Sequence, residues 1–116
     1  MEEKEVILTG YYPANNSMEG GFNDCFGNPL RTLSDYDRNN ANHNYVSLAT
    51  DPTIIPKRSH VNIEGFKDKD GVPVLFYACD VGSLIKGDHV DICCGSKEQT
   101  FRIDSDGKKR KLTILK

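Results

Sequence analysis

The sequence has no run of about 18 apolar residues, so no segment is built to cross a bilayer as a helix, and membrane insertion is not expected. It has no surplus of either charge. Its 15 Lys and Arg stand against 17 Asp and Glu, which leaves no global field to draw in nucleic acid. Its four cysteines, Cys25, Cys79, Cys93 and Cys94, include no C-x-x-C pair, which argues against structural zinc. The vicinal pair Cys93-Cys94 lies in a strand-like run and reads as buried thiols, with a disulfide from Cys79 to one of them as the open alternative. No apolar stretch follows the acidic start Met1-Glu2-Glu3-Lys4-Glu5, so no signal peptide is expected; the alternatives are a cytoplasmic start and a trimmed secreted domain. A phosphate-binding glycine loop, a G-x-S-x-G elbow and an H-E-x-x-H helix are all missing. His43, His60 and His89 assemble into no zinc triad, and neither metal nor cofactor is expected. No amphipathic helix of ordinary length is visible; the best short candidate is Gly82–Lys86, about one turn.

What is present is a set of short apolar runs separated by turn chemistry, the pattern of an all-β domain. The chain has 116 residues, 37% hydrophobic and 28% charged, which suits one domain over 1–116 with a modest core. The runs are Glu5–Tyr12, Asn44–Thr50, Ser59–Glu64, Pro73–Cys79, Asp88–Cys94 and Lys111–Leu115, all rich in Val, Ile, Tyr, Phe and Thr. Asp68-Lys69-Asp70-Gly71 and Asp104-Ser105-Asp106-Gly107 both end in Asp-Gly and read as hairpin turns in which glycine supplies a positive φ. The basic cluster Lys108–Lys111 reads as a solvated turn. Between the first two runs lies Pro13–His43, a long irregular insertion rich in Asn and Gly, with aromatics at Phe22, Phe26 and Tyr36. Loops of this length in compact domains are functional or disordered. The aromatics favour a packed lobe, one wall of a substrate groove.

Chemistry is carried by carboxylates in apolar company. Asp51 follows the run VSLAT and precedes Pro52, Asp80 ends the run VLFYAC, and Asp91 sits between Val90 and Ile92. A carboxylate among core-type residues is costly unless it is hydrogen-bonded or faces a cleft. In a cleft, partial burial raises its pKa, which suits a general acid.

The stretch from Asp80 to Asp91, DVGSLIKGDHVD, resembles the D-[TV]-G-G-A-I-K-G-x-x-x-D signature of the three-aspartate (3D) domain. The same signature closes the catalytic domain of the membrane-bound lytic transglycosylase A family. Ala49–Pro56, ATDPTIIP, resembles the A-x-D-P-x-x-I-P stretch that supplies the first aspartate, and Thr9-Gly10-Tyr11-Tyr12 resembles the T-G-Y-Y that opens the transglycosylase domain. The resemblance implies a six-stranded double-psi β-barrel with at most short helices, acting on the glycan strands of bacterial peptidoglycan. It implies cleavage of the N-acetylmuramic acid to N-acetylglucosamine bond with formation of a 1,6-anhydro sugar. By position, Asp91 is the implied acid/base and Asp80 the carboxylate that orients its surroundings. Asp51 and Thr9 would line the site, Tyr12 would serve as a sugar platform, and Lys86 would position a polar group.

Two departures qualify the likeness. Ser83 and Leu84 stand where the signature has Gly and Ala, and the second domain that walls the groove in the large transglycosylases does not fit in this length. Pro13–His43, or a fused or partner wall-binding module, would have to complete the groove. Two other readings stay open: a glycoside hydrolase on the same barrel, and a non-catalytic, expansin-like wall-binding module. Without a signal, release by lysis in the manner of a phage endolysin is one route to the wall.

Overall fold

A computed structural model describes residues 2–13 and 22–115. Six strands follow the six apolar runs: β1 (Glu2–Tyr11), β2 (Val46–Ala49), β3 (His60–Ile63), β4 (Phe76–Asp80), β5 (His89–Cys93) and β6 (Lys109–Ile114), with one helix, α1 (Lys97–Asp104), between the last two strands. They close into a barrel in the order β1-β5-β2-β4-β3-β6. The pairs β1–β5 and β2–β4 are parallel and the other pairs antiparallel. Each parallel pair needs a crossover, and the two pairs stand side by side in the closed sheet, joined by the antiparallel pair β5–β2. This is the double-psi barrel, a mainly β fold as the sequence pattern implies.

Period-two alternation builds the core. Val6 and Leu8 of β1, Val46 and Leu48 of β2, Val61 and Ile63 of β3, Phe76 and Ala78 of β4, Val90 and Ile92 of β5, and Leu112 of β6 all point inward and are buried. Each large aliphatic or aromatic side chain contributes about 1.5–3 kcal/mol on burial. β2 is covered on both faces. Its outward Ser47 accepts the Arg31 N–H at its Oγ and donates its own N–H to the Arg31 carbonyl, so the segment before β2 closes over it.

Of Pro13–His43, residues 14–21 lie outside the described residues. The rest, 22–43, is irregular apart from one isolated bridge, Asn23 to Pro29, and packs Leu30, Leu33 and Tyr36 against the core. The Asp68–Gly71 turn is as expected: Asp68 Oδ1 accepts from the Asp70 and Val72 amides, and Gly71 takes a φ of 79°.

The helix is a correction. Gly82–Lys86 forms a turn, with Ile85 N–H donating to the Gly82 carbonyl, while Lys97–Asp104 is helical. Only Ile103 of α1 is buried, so hydrophobic periodicity is too weak to reveal it. The available signal was local. Ser96 caps the N-terminus by accepting from Gln99 N–H, and Gln99 reaches back to accept from Gly95 N–H, a variant of the capping box. Asp104–Gly107 is therefore a helix-to-strand turn and not a hairpin. The cluster Lys108–Lys111 falls largely in β6, where Arg110 pairs with Asp106 at 2.6 Å. All four cysteines are free; Cys25 is exposed and the other three are buried.

Candidate active site

One row of residues crosses four adjacent strands on the outer face of the barrel. Thr9 of β1 is in register with Asp91 of β5, Asp91 with Ala49 of β2, and Ala49 with Asp80 of β4. Residues in register on neighbouring strands share a face. The two aspartates therefore flank the small Ala49 side chain, two strand spacings or roughly 9–10 Å apart at their Cα atoms.

Asp80 reaches this row through a β-bulge. Leu48 pairs with Ala78, but Ala49 pairs with Asp80, so Cys79 is the extra residue. Without the bulge, alternation would put Cys79 on the outer face and turn Asp80 away. The Cys79 carbonyl, displaced from the ladder, accepts from the Cys25 N–H at 3.2 Å and the Cys25 thiol at 3.1 Å. Thr50 N–H donates to the Asp80 carbonyl and holds the end of β4 against the exit of β2.

Asp91 is half-buried. Burial is the largest influence on its carboxyl and pushes the pKa up to about 6. The Thr9 hydrogen bond and the His89 ring pull it down, while the Asp104 and Asp80 carboxylates push it up. Thr9 Oγ1 donates to Asp91 Oδ1 at 2.8 Å and lies 2.7 Å from His89 Nε2. A carboxyl poised near 6 can release a proton as an acid and take one back as a base.

The Tyr11 hydroxyl donates to Asp80 Oδ2 at 3.4 Å, and burial, then Cys93 and Asp80, hold its pKa well above the ordinary value. Asp104, the last residue of α1, accepts the Gly10 N–H at 2.9 Å. This contact ties the helix to β1 one residue beyond Thr9. Close approach there depends on Gly10, where a Cβ would lie 2.8 Å from Cys94 Sγ and 3.0 Å from the Thr100 Cα.

Asp51 lies outside the row, in the turn after β2. Its Oδ2 accepts from Gly87 N–H at 2.9 Å and its Oδ1 from the Thr53 amide and hydroxyl at 3.0 and 2.8 Å. These bonds, Gly87 first, lower its pKa. Asp51 thus fastens the far end of the loop that leaves Asp80 and enters β5. Lys86, in that loop, is exposed and adds a smaller lowering influence on Asp51. Leu84, at the loop's tip, is 85% exposed, and so stands clear of the barrel surface.

Tyr12 is one residue past β1 and exposed. It lines a cavity of about 290 Å³ with Phe22, Pro29 and Leu30, a cavity whose lining includes none of the three aspartates. A larger cavity of about 490 Å³ lies between Leu33–Asn39 and the β3–β4 turn, crossed by Arg38 ion pairs to Asp68 and Asp70. It too excludes Asp51, Asp80 and Asp91.

Of the residues singled out from the sequence, then, Thr9, Asp80 and Asp91 share one row, Asp51 anchors its loop, and Tyr12 and Lys86 sit apart. Sequence reasoning missed Ala49, Tyr11, His89 and Asp104. His89 and Tyr11 were findable, since each lies two residues along a strand from a chosen residue and hence on the same face.

Fold and site together define a double-psi barrel protein with a paired-aspartate row on its outer surface. The family model of the 3D domain matches residues 46–115, more than half of the chain, and the chain belongs to that family. Thr9–Tyr12 lies outside the matched residues. Among solved structures, E. coli MltA with bound chitohexaose superposes with a TM-score of 0.54 at 24% identity over 79% of this chain. The E. coli lytic transglycosylase MltA, as an aspartate-to-alanine variant in an apo form, gives 0.53 at 24% over 79%. A further structure of E. coli MltA gives 0.51 at 24% over 81%. This chain spans only 26–27% of the length of those proteins. No curated protein sequence matches it. Among the described residues, no helix is long and apolar enough to cross a membrane.

Proposed function

We propose that this protein is a peptidoglycan lytic transglycosylase that acts at the bacterial cell wall, with Asp91 as its single acid/base. The carrying observation is the Asp91 carboxyl, pushed up to about 6 and held by Thr9 opposite Asp80 across Ala49. Membership of the 3D family and the superposition on MltA, one structure of which holds chitohexaose, support the same reading.

In this reading a muramyl residue sits against the outer face of the barrel beside Asp91 and Asp80. Asp91, protonated, gives its proton to the glycosidic oxygen as the bond from C1 to that oxygen breaks. The Asp80 carboxylate stabilises the positive charge that develops at the ring. Asp91, now a carboxylate, takes the proton from the C6 hydroxyl as that oxygen bonds to C1. The anhydro ring closes, no water enters, and Asp91 ends the cycle protonated as it began. The irregular segment over β2 and any fused or partner wall-binding module would complete the groove around the strand.

The test is digestion of purified peptidoglycan followed by mass spectrometry. Muropeptides with a 1,6-anhydro end, one water lighter than their reducing counterparts, are expected. Reducing ends alone would replace this reading with hydrolysis, and binding without soluble products would replace it with a wall-binding role.

A further inference from the structure

Thr9 Oγ1 lies between two ring and carboxyl partners, 2.7 Å from His89 Nε2 and 2.8 Å from Asp91 Oδ1. The placement follows from the sheet. His89 and Asp91 are two residues apart on β5 and share a face, and the parallel register sets Thr9 beside Asp91 and diagonal to His89. A hydroxyl has one proton to donate. An ionised Asp91 can only accept, so the Thr9 proton goes to Oδ1, and Nε2–H of His89 fills the Thr9 acceptor site. The bond from Thr9 to the ionised carboxylate is charge-assisted, and two bonds in series polarise one another.

We propose that His89 is a positioning residue that acts through Thr9: the chain His89–Thr9–Asp91 engages Oδ1 and leaves Oδ2 as the oxygen that carries and transfers the proton. The functional half of this statement rests on the acid/base reading of Asp91, while the hydrogen-bonded chain stands on the distances alone. The other ionisable groups that act on Asp91 are Asp80 at the end of β4 and Asp104 at the end of α1. Tyr11 of β1 and Cys94 after β5 also feel its charge. None of these forms part of the chain.

The experiment is a carbon-13 NMR titration of the Asp91 carboxyl, assigned with Asp91→Asn. It is run on the intact protein and on His89→Ala, His89→Gln, Thr9→Val and Thr9→Val/His89→Ala. Loss of a donor chain that favours the carboxylate raises its pKa. His89→Ala should therefore raise the midpoint by about one unit. His89→Gln, which keeps an N–H donor, should restore most of the original value. In the Thr9→Val background, removing His89 should raise the midpoint clearly less, by the direct effect of the ring alone. On glycan strands the alkaline limb of kcat/KM should move up with the midpoint, with kcat falling and KM unchanged. An unmoved midpoint in His89→Ala, or a His89 effect that persists in full without Thr9, overturns the proposal. A wild-type protein that releases no anhydro products, yet shows these shifts, would sink only the functional reading.

Discussion

Asp80 and Asp91 lie on different strands, yet both are register partners of the same residue, Ala49. One small, buried side chain separates them in the row, and each carboxyl is hydrogen-bonded from β1, Asp80 by the Tyr11 hydroxyl and Asp91 by Thr9. That arrangement, with Asp91 held by Thr9, is the basis of the following expectations.

Asp91→Asn should abolish turnover, a loss of about 10³-fold or more, while circular dichroism stays unchanged. The carboxamide is nearly isosteric and keeps an acceptor for Thr9. Measurable anhydro-product release at more than a few per cent of the wild-type rate would contradict an acid/base role for this carboxyl.

The same variant should be more stable at neutral pH. The native pKa of Asp91 is pushed up to about 6, above the roughly 3.9 of an unfolded Asp. The fold therefore favours the protonated form, so stability falls as pH rises from about 4 to about 6, where the unfolded Asp is ionised and the native one is not, and the loss is complete above that window. Allowing for partial exposure, Asp91→Asn should gain about 1–2 kcal/mol at pH 7.5 and flatten the pH dependence between those limits. Urea melts at pH 5 and 7.5 read both effects.

Asp80→Asn removes a negative charge that pushes the Asp91 pKa up. The alkaline limb of the kcat/KM profile should shift to lower pH, and kcat should fall by about 10- to 100-fold, less than for Asp91→Asn. A limb that moves upward would show that the two carboxyls do not interact in this sense.

Gly10→Ala places a methyl within 2.8 Å of Cys94 Sγ and 3.0 Å of the Thr100 Cα. The helix must shift off β1, which weakens the Asp104 contact to Gly10 N–H. A loss of about 1–3 kcal/mol is expected. Thermal melts should record it as a lowered Tm.

Thiol titration should separate the cysteines. Cys25 is exposed, whereas Cys79 and Cys93 are fully buried, and burial pushes the Cys79 thiol up to about 12. A thiolate-selective reagent should modify Cys25 alone in the native protein and all four cysteines in denaturant. Fewer than four thiols after unfolding without reductant would reveal a disulfide.

All six strands were legible in the chain, because Val, Ile, Leu and Phe at alternate positions such as Val90 and Ile92 or Val61 and Ile63 have only one face to bury. The aspartates were legible too, as charges set among apolar neighbours. Helix α1 was not, since it buries only Ile103 and owes its ends to Ser96 and Gln99. The pairing of Asp80 with Asp91 was beyond the reach of pattern. It depends on β2 inserting between β4 and β5, and on one extra residue, Cys79, that turns Asp80 onto the outer face. Strand order and bulges are settled by contacts between residues far apart in sequence, which local alternation does not encode. The sequence by itself therefore determined which residues form strands and which carboxylates stand out. Only the closed barrel decided that Thr9, Asp91, Ala49 and Asp80 make one row and that Tyr12 stands outside it.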